Sequence, residues 1–112
     1  MPLVLHVMYD AALGQERHDL LTREGFHVLT VNNNFNAQKE CERHRFAAIV
    51  VGFASPLPNR RSIARWLREH CPGVPIVGLF SEKFLPLRGA DHSIDGTDWR
   101  TLVHTLRRII SN

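Results

Sequence analysis

Phe46-Ala47-Ala48-Ile49-Val50-Val51-Gly52-Phe53 is the most apolar stretch of the chain. It is far shorter than the roughly 20 residues that cross a bilayer, and neither face of its pleat carries a polar side chain. A run of this kind marks a strand covered on both sides, at the centre of a sheet flanked by helices. The fold then turns on what lies on either side of it.

Toward the N-terminus, Leu3-Val4-Leu5-His6-Val7-Met8 is a second, nearly continuous apolar run ending at Tyr9-Asp10. Gly14 to Glu24 is rich in helix formers, places Leu20 and Leu21 one to two turns after Leu13, and stops at Gly25, a natural helix terminator. Phe26 to Val31 reads as a strand. Asn32, Asn33, Asn34 and Asn36 mark a loop and a helix cap, and a polar helix follows from about Ala37 to His44.

Beyond the central run, Pro56 and Pro58 indicate a loop, and Ile63, Trp66 and Leu67 give Ser62 to His70 one buried helical stripe. Cys71-Pro72-Gly73 ends that helix. Val74 to Phe80 is a fourth strand, with Pro75 tolerated at its first residues, and Ala90 to Ile94 is a weak fifth. Trp99, Leu102, Val103, Leu106, Ile109 and Ile110 then recur at helical spacing, with Thr97 or Asp98 as cap. Five strands in strict alternation with four or five helices imply a parallel sheet with right-handed crossovers.

The 112 residues are expected to form one domain, 1–112, and the 44% apolar and 22% charged composition is that of an ordinary globular protein. Cys41 and Cys71 are too few for a disulfide framework, and no export signal or membrane span is read, so the expected location is the cytoplasm. The formal charge of +3 is a weak indication of acidic partners. His6, His18, His27, His44, His70, His92 and His104 are dispersed without ligand spacing, so they read as surface or packing residues. His70-Cys71 reads as a helix end rather than a metal site.

The layout resembles the receiver domains of bacterial two-component response regulators over essentially the whole chain. The matching residues are Leu20-Leu21 with Gly25-Phe26, Phe46 to Val51 before Pro56, Pro75-Ile76-Val77, and Gly89-Ala90-Asp91. The resemblance implies a flavodoxin-like, CheY-like three-layer α/β sandwich with a five-stranded parallel sheet of order 2-1-3-4-5. Only seven residues separate Ser81 from Gly89, and Pro86 is among them, so the fourth helix is expected to be shortened or irregular.

The resemblance also places a reaction centre at the strand ends, and the residues there depart from the pattern. The phosphoacceptor aspartate falls on Gly52, which has no side chain to phosphorylate. The acidic pair that holds magnesium falls on Met8 and Tyr9, leaving Asp10 beside them. The hydroxyl residue after the fourth strand falls on Phe80. Ser81 is next in line, but strand alternation turns it to the other face. The lysine that steadies the phosphoryl group falls on Gly96. Tyr9, Phe53 and Phe80, with Met8, are expected to fill the vacated pocket.

These residues lead to a degenerate receiver domain that is not phosphorylated, uses no cofactor or metal, and acts in bacterial signal transduction by contact with a protein partner or as a homodimer through its last helix. It is expected to be a binding module rather than an enzyme. One alternative is a flavodoxin-like small-ligand protein or enzyme using the strand ends, though no phosphate loop, nucleophile with base, or metal cluster is found. Another is nucleic-acid binding through Arg60, Arg61, Arg65 and Arg68 or Arg100, Arg107 and Arg108. Glu69, Glu82 and Asp98 interrupt these arginines, which favours solvated helix faces.

Overall fold

The computed structural model describes residues 2–111. Among them the elements run β1 (Leu3–Val7), α1 (Ala11–Arg23), β2 (His27–Val31), α2 (Asn34–Arg43), β3 (Ala48–Val51), α3 (Leu57–His70), β4 (Ile76–Phe80), β5 (His92–Asp95) and α4 (Trp99–Ser111). The strands pair in parallel in the order β2-β1-β3-β4-β5, the flavodoxin-like arrangement expected from the sequence.

Side chains alternate strictly across the sheet. Leu5, Val7, Ile49, Val51 and Ile76 pack with Ala37 of α2 and with Ile63, Ala64 and Leu67 of α3. Val4, Ala48, Val50, Val77 and Leu79 pack with Leu21 of α1 and with Leu102, Val103 and Leu106 of α4. The sheet is therefore the middle of three layers, and β3 is buried on both faces as its composition requires.

The element boundaries differ from the sequence expectations for local reasons. Helix α1 starts at Ala11 rather than Gly14, because the Asp10 carboxylate accepts the Leu13 N–H at 3.0 Å. Helix α2 starts at Asn34 rather than Ala37, capped by Asn33, which accepts the Asn36 N–H at 2.8 Å. Helix α3 starts at Leu57 rather than Ser62. Pro58 stands in its first turn, where a missing N–H costs nothing.

Strand β3 is shorter than the apolar run that predicted it. Phe46 and Gly52-Phe53 lie outside it, although Ala47 N–H bonds Leu3 O and Gly52 N–H bonds Val7 O, each at 2.8 Å. Strand β5 starts at His92 rather than Ala90. Asp91 bonds Ile76 twice, through its own N–H at 2.8 Å and through its carboxylate at 2.7 Å.

The expected short fourth helix is absent: no helix lies between β4 and β5. The connecting segment instead lies directly on the sheet, with Leu87 only 2% exposed. Gly78 makes this possible, since a Cβ there would sit 3.0 Å from Leu87 Cβ and 3.1 Å from Ala90 Cβ. Two arginines of α3 hold the segment in place. Arg60 donates from Nε to Ser55 O and from Nη1 to Leu85 O, both at 2.8 Å. Arg68 donates to Gly89 O and pairs with Asp91 at 2.9 Å.

Arg60 is 1% exposed, so the solvated arginine face expected on this helix does not include it. Its charge is buried against these two carbonyl oxygens, and removing one member of such a buried set costs more than the bonds contribute. Arg60→Met keeps the stem and removes the donors. We expect a loss of about 2–4 kcal/mol in urea denaturation, with faster amide exchange in residues 84–90; unchanged stability and exchange would show that the segment stands without it.

Candidate functional site

The strand ends bring together the positions singled out in the sequence. Met8, Tyr9 and Asp10 follow β1, Gly52 follows β3, Phe80 closes β4 and Gly96 follows β5. Gly52 N–H bonds Val7 O and Gly96 N–H bonds Phe80 O, each at 2.8 Å, so the four chain ends sit side by side.

The centre of this site is occupied by Arg17, a residue of α1. It is 8% exposed. A Cβ built on Gly52 would lie 3.4 Å from Arg17 Nη1 and 3.1 Å from Val7 O, so the guanidinium stands where a longer side chain at position 52 would extend. Phe53 covers the other side. Its ring lies 5.8 Å from the Arg17 guanidinium carbon, a cation–π distance, and a Cβ on Gly96 would overlap it.

A cavity of only about 10 Å³ is left between Tyr9, Asp10, Arg17, Gly52 and Phe53, barely the space of one water. The pocket is filled by Arg17 together with two of the four residues expected, Tyr9 and Phe53. Phe53 contributes, whereas Met8 lies over Gly14. Tyr9 forms a wall and donates its hydroxyl to Asn34 Oδ1 at 2.7 Å, and burial, partly offset by the Arg60 charge, raises that hydroxyl to about 12. Phe80 does not border the cavity. The Ser81 hydroxyl oxygen accepts the Lys83 N–H at 3.3 Å, within its own turn.

Arg17 is held from behind. Its Nη1 lies 3.0 Å from His6 Nε2. Arginine only donates, so this nitrogen accepts and the His6 proton is on Nδ1. That nitrogen faces Thr30 Oγ1 at 3.0 Å, and the Thr30 hydroxyl in turn reaches His18 Nδ1 at 2.7 Å. His6 is fully buried. Burial first, then the charges of Arg17 and His18, lowers its pKa to about 3. A neutral His6 is what allows a buried guanidinium to find an acceptor here. His6 and His18, read separately as dispersed residues, thus meet through Thr30. His70 is the helix-end residue expected, stacked on Trp66 with its ring bonded to Trp66 O.

In the sequence Arg17 is not singled out and Arg60 reads as one of a row of solvated arginines, yet a positional signal exists. Arg17 falls on the inward stripe with Gly14 and Leu21, and Arg60 on the stripe Ile63, Ala64, Leu67.

The arrangement does not suit magnesium, which needs near-octahedral oxygen ligation at close range. Asp10 is the one carboxylate bordering the cavity, it caps α1, and a cation already stands beside it. Among the described residues no group of three or more potential metal-ligating side chains converges, and no helix is long and apolar enough to cross a membrane.

No family model matches the sequence, and no curated protein matches it. Solved structures do. The receiver domain of a sensor histidine kinase from Pseudomonas aeruginosa, with magnesium in its active-site cleft, aligns at a TM-score of 0.82 and 22% identity, over 99% of this chain and 98% of that one. A putative response regulator from Chloroflexus aurantiacus aligns at 0.85 and 16% identity over the whole of both chains. A chain from the structure of a histidine kinase in complex with a response regulator of Thermotoga maritima aligns at 0.82 and 16% identity, over 98% of this chain and 99% of that one. These likenesses establish a CheY-like receiver fold.

The His6 network has a measurable consequence. The folded-state pKa of about 3 lies below the ordinary 6.5, so the unfolded chain takes up this proton first as pH falls. The contribution is complete above pH about 6.5 and is lost progressively toward pH 3. Between pH 7 and pH 5 it amounts to roughly 2 kcal/mol. His6→Gln, which keeps an acceptor for Arg17, is expected to abolish that part of the pH dependence in urea titrations; an identical pH profile for the two proteins would contradict a buried neutral His6.

Proposed function

We propose that this chain is a receiver-like signalling domain that takes no phosphoryl group and works by binding a protein partner or a second copy of itself. The observation that carries this is Gly52 at the end of β3, with the Arg17 guanidinium 3.4 Å from where its Cβ would be. Phosphoryl transfer to an aspartate needs a carboxylate nucleophile and cationic help for the incoming oxygens. Here the nucleophile is replaced by hydrogen and its space by a fixed cation. In this reading Met8, Tyr9, Phe80 and Gly96 stand at the positions that would hold metal, hydroxyl and lysine, and Asp10 is the one acidic residue left beside them.

Support for a binding role comes from the outer surface of the same end. Leu13 and Trp99 are 39% and 43% exposed and frame a groove of about 300 Å³ between α1 and α4. Large apolar side chains left in water around one hollow mark a contact surface, and this one adjoins the last helix. The receiver-fold protein solved with a histidine kinase provides a precedent for protein partners on this scaffold. In this scheme the domain acts in the bacterial cytoplasm, without enzymatic activity, as a fixed rather than a switched element. The flavodoxin-like enzyme alternative loses its usual place, since the crevice between the ends of β1 and β3 holds only about 10 Å³.

Incubation with acetyl phosphate and magnesium, followed by intact-mass measurement, is expected to leave the mass unchanged. A stoichiometric phosphoryl adduct would overturn the proposal.

A further inference from the structure

The absence of a helix between β4 and β5 leaves a hollow beside α3 that the proposed signalling role does not use. It has a volume of about 230 Å³ and is lined by Arg61, Ala64, Arg65, Arg68, Arg88 and Gly89. Three of its arginines stand on one flank of α3 at i, i+4 and i+7, and the fourth comes from the connecting segment. Arg68 is fixed by Asp91 and Gly89 O. Burial opposes the Asp91 charge, yet the Ile76 N–H and Arg68 hold that carboxyl below the usual carboxylate range, so Asp91 remains committed to Arg68. Arg61, Arg65 and Arg88 are exposed and make no ion pair among the described residues.

We infer that this hollow is a binding site for a phosphate monoester group. Three uncompensated guanidinium groups around one concavity repel each other, and an anion placed among them reverses the sign of that interaction. All the cations here are arginines, although lysines occur elsewhere at Lys39 and Lys83. The planar guanidinium fork matches oxyanions in a bidentate way that an ammonium does not. A phosphate carries close to two charges and three terminal oxygens, enough acceptors for several forks at once, whereas a carboxylate offers one charge and two oxygens. The hollow is smaller than the pockets that enclose whole drug-sized ligands, so it takes the head group and leaves the remainder of the ligand outside. Extended nucleic acid fits less well, because no continuous basic track exists. Arg100 and Arg108 lie on α4, across the sheet from α3, and Arg107 is paired with Glu24 at 3.0 Å.

The test is an amide NMR titration of the whole chain with a short neutral peptide carrying one phosphoserine, with the same peptide unphosphorylated, with adenosine monophosphate, and with a single-stranded oligonucleotide. The phosphopeptide is expected to give saturable shifts in residues 61–68 and 87–91 and the unphosphorylated peptide none. Equal binding of adenosine monophosphate would identify a small phosphate ester as sufficient; preference for the phosphopeptide would identify a phosphorylated protein segment. Arg65→Gln and Arg88→Gln, both at exposed positions, should each weaken binding about tenfold with the spectrum otherwise unchanged. Non-saturable shifts, shifts indifferent to both substitutions, or tighter oligonucleotide binding that maps to α4 would overturn the assignment. The strand-end proposal is untouched by any of these results.

Discussion

A guanidinium taken out of water needs acceptors, and the way Arg17 finds them organises the strand ends of this protein. Its partners are a histidine nitrogen and an aromatic face, neither of which is an anion. The histidine serves only while neutral, which its burial enforces and its Nδ1 bond to Thr30 orients. Space for the charged head requires no side chain at position 52, and the close approach of Phe53 requires none at position 96. Asp10 adds its charge nearby while capping the helix that carries Arg17. One buried charge therefore accounts for the identities of His6, Thr30, Gly52, Phe53 and Gly96.

The same solution appears on the other face of the sheet. Arg60 is buried against two carbonyl oxygens, one in the β3–α3 turn and one in the β4–β5 connection. With Arg68 and Gly78 it lays that connection onto β4, where a helix would stand off. Switching requires an element with two arrangements of similar energy. Here the strand-end pocket is closed by side chains with satisfied partners, and the neighbouring connection is tied at both ends. Both features favour one state, and both come from arginines placed inside the fold.

Much of this architecture was legible in the sequence. The central run from Phe46 to Phe53, the two flanking strands and the strong stripe of the last helix determine a parallel three-layer sandwich, because each face of the sheet has an apolar helix side to meet. The helix starts were harder to read. Pro58 looks like a loop residue until its place in a first turn is known, Asp10 reads as the end of the first strand, and Asn33 is one of four asparagines of which any could cap. The residues that follow the strands, Met8, Tyr9, Gly52, Phe80 and Gly96, were readable one at a time as lying at one end of the sheet. The place of Arg17 between them was not, since it depends on a side chain from α1, eleven residues from His6 in sequence, crossing to the sheet. Composition counts Arg17 and Arg60 as surface charge; only their register on the apolar stripes separates them from Arg61 and Arg65.

The central claim is that the cation in the pocket belongs to the protein and leaves no place for another. An NMR titration of the full chain with magnesium and then with beryllofluoride, observing the Arg17 side-chain Nε–H and the amides of Gly52, Phe53 and Gly96, tests it most directly. The account predicts that these signals stay in place throughout. Saturable, magnesium-dependent movement of the Arg17 and Gly52 signals would contradict it.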